Sequence, residues 1–251
     1  MAVGSLLNYK YVIFGKMKII TWNCQMAFRK KGQLILIEEP DILIIPECEH
    51  PDKLLKIALN ATCVLWYGTN KNKGLAVFSF GRYQLHQMAD HNPDLKLFCP
   101  IKVTGGDVNF ILFAVWANNP QDWEYQYIGQ VWKAIHYYEN ILRTEQVIIA
   151  GDFNSNVIWD KLHRKTSHTM VVEKLETMEI FSTYHKHNNE LQGRELNPTF
   201  HMYRHENKPY HIDYCFASHF LMERLIEVEV GAYHNWTLHS DHKPLIATFD
   251  V

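Results

Sequence analysis

The sequence predicts an α/β fold of two packed β-sheets with helices on their outer faces. Three observations predict it. Short apolar runs rich in Val, Ile and Leu recur along the chain, several of them ending at Gly, Pro, Asn or Asp. Only a few stretches carry helical spacing of apolar residues. Several strand pairs are separated by tight turn signals such as Thr104-Gly105-Gly106-Asp107, which makes them hairpins. Many strands, few helices and frequent hairpins fit sheet on sheet with helices outside.

The elements follow in order. Lys18 to Asn23 reads as a strand ending in a carboxamide, and Phe28 to Glu39 as a helix stopped by Pro40. Asp41 to Pro46 is a buried strand that delivers Glu47, and Asp52 to Leu59 a short helix. Strands at Cys63 to Tyr67 and Gly74 to Phe80 flank a polar loop, and Leu97 to Val103 and Val108 to Trp116 form the hairpin pair. Asn118-Asn119-Pro120 breaks the last of these, and a helix of about two dozen residues is expected through Val131, Trp132, Ile135 and Tyr138 to about Thr144. Val147-Ile148-Ile149-Ala150 is a strand buried on both faces, ended by Gly151 before Asp152, Phe153 and Asn154. In extended backbone Asp152 and Asn154 point the same way. His168 to Met178 reads as an amphipathic helix; Ile180 to Tyr184, Pro198 to Tyr203, Tyr210 to Phe216, Leu225 to Tyr233 and Leu245 to Val251 read as strands.

The totals bound the function classes. With 251 residues, 47% hydrophobic and 21% charged, the chain can bury a full core. Neither repeat nor linker composition interrupts it, so residues 17–251 are expected to form one domain, preceded by a leader at 1–16 with no signal-peptide pattern. No apolar run approaches the ~18–20 residues of a membrane span. A net charge of −2 gives no global footprint for nucleic acid, so a polyanion would be met by local charge or a metal. Five scattered cysteines without a CxxC pair point to a reduced, cytoplasmic setting. No protein partner is evident, and a monomer is expected.

Polar groups stand at the ends of apolar strands at five places: Asn23, Glu47, Asp152 with Asn154, Asp213, and Asp241 with His242. Each alone reads as a turn or a solvated loop; together they make an inventory for hard-metal phosphate chemistry, since Mg²⁺ takes carboxylate and water oxygens. Asp213 lies inside an otherwise apolar stretch, where an unpaired carboxylate is costly, and His242 is a candidate partner.

Thr21-Trp22-Asn23, Pro46-Glu47, Gly151-Asp152-Phe153-Asn154, Ile212-Asp213-Tyr214 and Ser240-Asp241-His242 resemble, in order, the successive motifs of the endonuclease/exonuclease/phosphatase superfamily. The resemblance covers residues 18 to 251. It implies a four-layered α/β sandwich and phosphoester hydrolysis dependent on a divalent metal, Mg²⁺ with Mn²⁺ as a substitute. It further implies Glu47 as metal ligand with Asn23 and Asp241 close by, Asp152 orienting or deprotonating the attacking water, Asn154 donating to the phosphate, and His242, oriented by Asp213, stabilising the transition state. The chain departs from many members at Trp116, where a Tyr or His is usual; Asn118 or Asn119 would then supply the polar contact. It also has His211 where DNA-repair members carry Arg.

Nucleic acid is the leading expected substrate. Arg29, Lys30, Lys31, Lys71, Lys73, Arg164, Lys165, Arg204 and Lys208 fall on loops expected at the active edge, and Phe200, Tyr210 and Trp116 could wall a pocket for a base or sugar. The alternative is a phosphatase or phosphodiesterase acting on a small nucleotide, sugar phosphate or lipid headgroup. A metal-lacking binding module would predict losses among the acidic and His positions, and none is lost.

Overall fold

The computed structural model describes residues 15–55, 59–95, 97–118, 125–161 and 165–251. Its strands are β1 (Lys16–Thr21), β2 (Ile42–Cys48), β3 (Cys63–Asn70), β4 (Lys73–Ser79), β5 (Gln84–Gln87), β6 (Phe98–Thr104) and β7 (Phe110–Trp116), followed by β8 (Val147–Asp152), β9 (Ile180–Ser182), β10 (Phe200–His201), β11 (Pro209–Tyr210), β12 (Asp213–Ser218), β13 (Leu225–Val230) and β14 (Leu245–Asp250). They form two six-stranded mixed sheets, in the orders β13-β14-β1-β2-β4-β3 and β9-β12-β8-β7-β6-β5, plus the small pair β10-β11.

Both sheets repeat one pattern of pairing: antiparallel, antiparallel, parallel, antiparallel, antiparallel. The parallel pairs are β1 with β2 and β7 with β8. In each sheet the carboxyl ends of the parallel pair therefore lie at the same edge as the start of an antiparallel neighbour, β14 or β12.

Strand alternation distributes the apolar runs between two faces. In β2, Ile42 and Ile44 face the interior between the sheets, with Ile19, Leu112 and Ile148, while Leu43 and Ile45 face outward against Phe28, Ile35 and Trp236. In β8, Ile148 and Ala150 face inward, while Val147 and Ile149 pack under Val131, Ile135, Leu142 and Leu175 of the covering helices. Four layers result, and strands buried on both faces explain runs without polar alternation. The expected α/β sandwich is the observed one.

The helices depart more from expectation. The segment from Phe28 to Glu39 is a 3₁₀ turn at Phe28–Lys30 and a short helix at Gly32–Leu36, because Gln25, Met26 and Ala27 all have positive φ and Lys31 (φ −125°) breaks the chain between them. The long helix divides into Ile128–Tyr137 and Glu139–Thr144 at Tyr138, whose buried hydroxyl accepts from Asn92 N (2.9 Å) and donates to Asp90 O (3.2 Å); residues 119–124 lie outside the described residues. Only a 3₁₀ turn at Pro51–Lys53 is seen of the helix expected at 52–59, residues 56–58 being outside the described residues. After Ile180–Ser182 the chain turns into a helix at Thr183–Asn188, closed by Asn189 in the left-handed region. The strand expected at 198–203 shrinks to β10, because Tyr203 and Arg204 take positive φ. The stretch at 210–216 divides around Ile212, whose N–H, like that of Asp213, donates to Thr199 Oγ1 (3.0 Å). The last departures are Tyr233, which opens a helix rather than ending β13, and the polar strand β5, which carries too little alternation to be read. Residues 1–14 of the leader lie outside the described residues.

At the edge opposite the parallel ends, Val251 N donates to Gly15 O (2.9 Å) and the β6–β7 hairpin turns. Among the described residues no helix is long and apolar enough to cross a membrane.

The core also holds titratable rings. The His168 ring lies 4.9 Å from that of Tyr214, centroid to centroid, and burial pushes its pKa down to about 4; burial likewise takes His211 down to about 3. Both are neutral when folded, whereas an unfolded imidazole titrates near 6.5. The folded state thus binds fewer protons, so their contribution is complete above about 6.5 and is lost as pH falls toward the folded values. In the unfolding free energy from urea titrations, these two rings should contribute a loss between about pH 7 and pH 5 of roughly 1.4 kcal/mol per pH unit per imidazole at most. His168→Leu should flatten that slope relative to wild type; the same pH dependence in both proteins would contradict this account.

Candidate active site

The site begins where β8 ends. Gly151 has φ +146°, and a Cβ there would stand 1.9 Å from Val115 O on the neighbouring strand, so only glycine lets the strand reach its last residue. Asp152, fully buried, is paired in register with Trp116 of β7 and Asp213 of β12. Asn154 meets Asp152 through a turn rather than through extended alternation: its φ is +47°, its N–H donates to Asp152 Oδ1 (2.8 Å), and its Nδ2 donates to Asp152 Oδ2 (3.1 Å) and Ala117 O (3.0 Å). A short side chain bonding back to the backbone explains why Asp-x-Asn serves here.

From the other sheet, Asn23 at the end of β1 donates Nδ2 to Asp152 Oδ2 (2.9 Å). His242, just before β14, places Nδ1 2.8 Å from Asp213 Oδ2 and Nε2 4.0 Å from Asp152 Oδ2. Its backbone is fixed twice, by Trp22 Nε1 donating to His242 O (3.1 Å) and by His242 N donating to Ser240 Oγ (3.1 Å), which itself donates to Asn23 O (2.7 Å). Asp213 Oδ1 is buried without a hydrogen-bond partner. Among the described residues, Asp152, Asp213 and His242 form the cluster of acidic and imidazole side chains close enough, within 4.8 Å of one another, to hold a divalent cation.

Burial dominates the electrostatics. It pushes Asp152 up to about 7, helped by the charge of Asp213 and opposed by His242 and by hydrogen bonds from Asn23 and Asn154. Burial opposes a charged His242, but Asp213 and Asp152 outweigh it and hold the imidazole up at about 10. At neutral pH the Asp213–His242 pair therefore carries a charged imidazolium whose Nε2–H faces Asp152.

Glu47 reaches the same edge from β2. It sits in a bulge between Pro46 and Cys48, with φ +64°, and its carboxylate lies 3.1 Å from Lys73 Nζ. That ammonium also stands over the Trp116 ring, 5.0 Å from its centroid. Asp241 is half-buried, its backbone oxygen accepting from His201 N (2.7 Å). Phe200 lies 4.7 Å from the His242 ring, with Tyr210 beside it. Asn118 follows Ala117, whose carbonyl holds Asn154; Asn119 is outside the described residues. His211 packs inward, 4.4 Å from Tyr184, with Nδ1 3.1 Å from Asn197 O.

The basic loops are largely occupied by the chain itself. Arg29 pairs with Glu49, Lys71 with Asp52 (2.8 Å), Lys31 holds His239 O (2.6 Å), and Arg204 binds Gln25 and Leu238 O. Arg164 is outside the described residues. Sequence reasoning missed Thr199 and gave no role of their own to Trp22 and Ser240, although both stand in the quoted motifs; Lys73, expected at the active edge among the basic loops, is there but pairs with Glu47.

No protein-family profile matches the sequence, and neither does any curated protein sequence. Solved structures do match. A 3′ phosphatase from Neisseria, NExo, bound to a product DNA hairpin aligns over 94% of this chain and 100% of its own, with TM-score 0.68 and 20% identity. An AP endonuclease from Archaeoglobus fulgidus aligns over 94% and 100%, with TM-score 0.69 and 19% identity. The endonuclease domain of TRAS1, a telomere-specific non-LTR retrotransposon, aligns over 94% and 98%, with TM-score 0.65 and 15% identity. The chain therefore has the fold of the exonuclease and AP-endonuclease structures, the fold that its motifs implied.

The Asp213 contact makes a prediction. In metal-free protein, Asp213→Asn removes the charge that outweighs burial, so the His242 titration followed by imidazole NMR should move down from about 10 toward or below the ordinary histidine range. A titration that stays in place would remove Asp213 from this role.

Proposed function

We propose that this chain is a divalent-metal-dependent phosphoesterase that hydrolyses phosphodiester bonds in nucleic acid. The observation that carries the reading is the buried group of Asp152, Asp213 and His242, bridged to the other sheet by Asn23 at a shared edge. A structural role alone does not account for two buried carboxylates facing one imidazole, because burying charge is costly. Perturbed, partnered groups in such a place are the mark of proton chemistry.

The donor set fits a hard cation. Glu47 presents a carboxylate that already attracts a cationic group, and Asn23 and Asp241 add oxygen donors; we assign these three to Mg²⁺, with Mn²⁺ able to replace it. Asp152, Asp213 and His242 are assigned instead to proton transfer and charge stabilisation, since a charged imidazole has no lone pair to offer a metal. When bound, the cation supplies charge neutralisation on the phosphate oxygens.

Asp152 takes the proton of the attacking water, for which its raised affinity near neutrality suits it. The His242 Nε2–H donates to the phosphate oxygens as charge builds there, joined by Asn154 Nδ2, which exchanges its bond to Asp152 Oδ2 or Ala117 O for one to the phosphate. Asp213 orients and stabilises the imidazolium, with Nδ1–H directed at Oδ2. Trp116 stands as an indole where the resemblance expects an acid–base side chain, and Lys73 over its face places a cation beside that position. A monomer working in the cytoplasm without a protein partner completes the reading.

The test is hydrolysis by purified protein with Mg²⁺, Mn²⁺ or EDTA, on single- and double-stranded DNA, an abasic duplex, RNA and a panel of phosphomonoesters. Metal-dependent cleavage of a polynucleotide is expected. Release of phosphate or a headgroup, with silence on nucleic acid, would move the assignment to the small-substrate branch. Asp152→Ala and His242→Ala should remain folded by circular dichroism and lose about 10²–10⁴ in kcat; near-wild-type turnover in either would sink the mechanism. Lys73→Met removes the ammonium that shares Glu47, and calorimetric titration with Mn²⁺ should show binding tightened by up to roughly fivefold, the range of a partly exposed ion pair.

A further inference from the structure

A run of aromatic rings leads away from His242. Phe200 lies 4.7 Å from the imidazole, Tyr210 6.2 Å from Phe200, and Trp159 4.9 Å from Tyr210, centroid to centroid. The first two are register partners of β10 and β11, and Phe200 also bridges to His242. Trp159 ends the 3₁₀ turn Val157–Trp159, which is anchored by Asn156: its Oδ1 accepts from Ile158 N (3.1 Å), and its Nδ2 donates to His211 O (2.9 Å). The shelf is therefore built on backbone pairing and a buried amide rather than on a loose loop.

Beyond Trp159 a pocket of about 230 Å³ opens. Tyr127 and Trp159 line it together with Asn154, Ser155 and Thr166, and Lys161 stands among its lining residues. Asn154 is the residue that bonds Asp152, so the pocket adjoins the reacting centre. Trp159 is 39% exposed and Tyr127 37%, so both aromatic side chains are partly open to solvent where they line the pocket beside polar residues. Meanwhile Arg29, Lys31, Lys71, Lys73 and Arg204 are engaged within the chain, and the net charge is −2. A duplex held by its phosphates needs many available cations, whereas a single strand can be held by its bases on aromatic faces.

We propose that the substrate is a single strand, or a strand end freed from pairing, whose bases stack along Phe200, Tyr210 and Trp159, with one base entering the pocket between Trp159 and Tyr127. This rests on the phosphodiesterase reading given above. The shelf supplies affinity that sequence and salt affect little, and it draws the scissile phosphate toward Asn154 and His242. Duplex DNA, its bases stacked on one another, offers the rings only its backbone.

The experiment is fluorescence anisotropy of labelled single-stranded DNA, single-stranded RNA and blunt duplex DNA with the full chain in EDTA, paired with cleavage assays in Mg²⁺. Single strands should bind at least tenfold more tightly than duplex and quench tryptophan emission. Trp159→Ala should weaken single-strand binding about tenfold, Trp159→Phe should restore most of it, and Tyr127→Ala should weaken it independently. The DNA and RNA arms tell which sugar is preferred. Equal or tighter duplex binding, or single-strand affinity untouched in Trp159→Ala, overturns the stacking proposal while leaving the nuclease standing if cleavage persists. Neither binding nor cleavage of any nucleic acid overturns both.

Discussion

The hydrogen bond from Asn23 Nδ2 to Asp152 Oδ2 joins one sheet to the other at the point where two carboxylates and an imidazole are withdrawn from water. Burying such groups is expensive, and the cost is met only if their partners are held in place. Asp152 accepts from Asn23, from the Asn154 backbone and from the Asn154 side chain; Asp213 faces His242; and His242 is held through its own backbone by Trp22 and Ser240. The partners come from β1, β8, β12 and the turn before β14, so the charges are tolerable only when both sheets are complete and aligned. The apolar interior packs the sheets together, and the polar clasp ties them at one edge.

The identical pairing pattern of the two sheets explains why the clasp forms there. Parallel strands release their carboxyl ends together, and each antiparallel neighbour starts where they stop. The parallel pair and its neighbour therefore deliver polar groups from both sheets into one cleft, although the residues are far apart in the chain.

Much of this was legible in sequence where burial dictates composition. Runs such as Val147 to Ala150 and Asp41 to Pro46 carry little polar residue because both their faces are covered, and Asp213 in an apolar stretch announced a need for a partner that His242 meets. Helix extent was less legible, since the breaks at Lys31 and Tyr138 follow from backbone angles and from a buried hydroxyl reaching a distant loop. The turn that folds Asn154 back on Asp152 depends on a positive φ that residue type only permits. Basic loops looked available because their acidic partners, Glu49, Asp52 and Glu47, lie on other segments. Trp159 and Tyr127 belong to no periodic pattern, and only three-dimensional proximity joins them to the site.

The edge opposite the cleft has a different use. Gly15 and Val251 meet there, and the β6–β7 hairpin turns there, one strand length from the chemistry. Six residues of extended chain span roughly 20 Å. A tag, a surface tether or an inserted domain attached at that edge would stand clear of the candidate site, and its tug would reach the clasp only through the full length of both sheets. The molecule thus separates a working end from a handling end, which makes the β6–β7 hairpin a natural point of immobilisation.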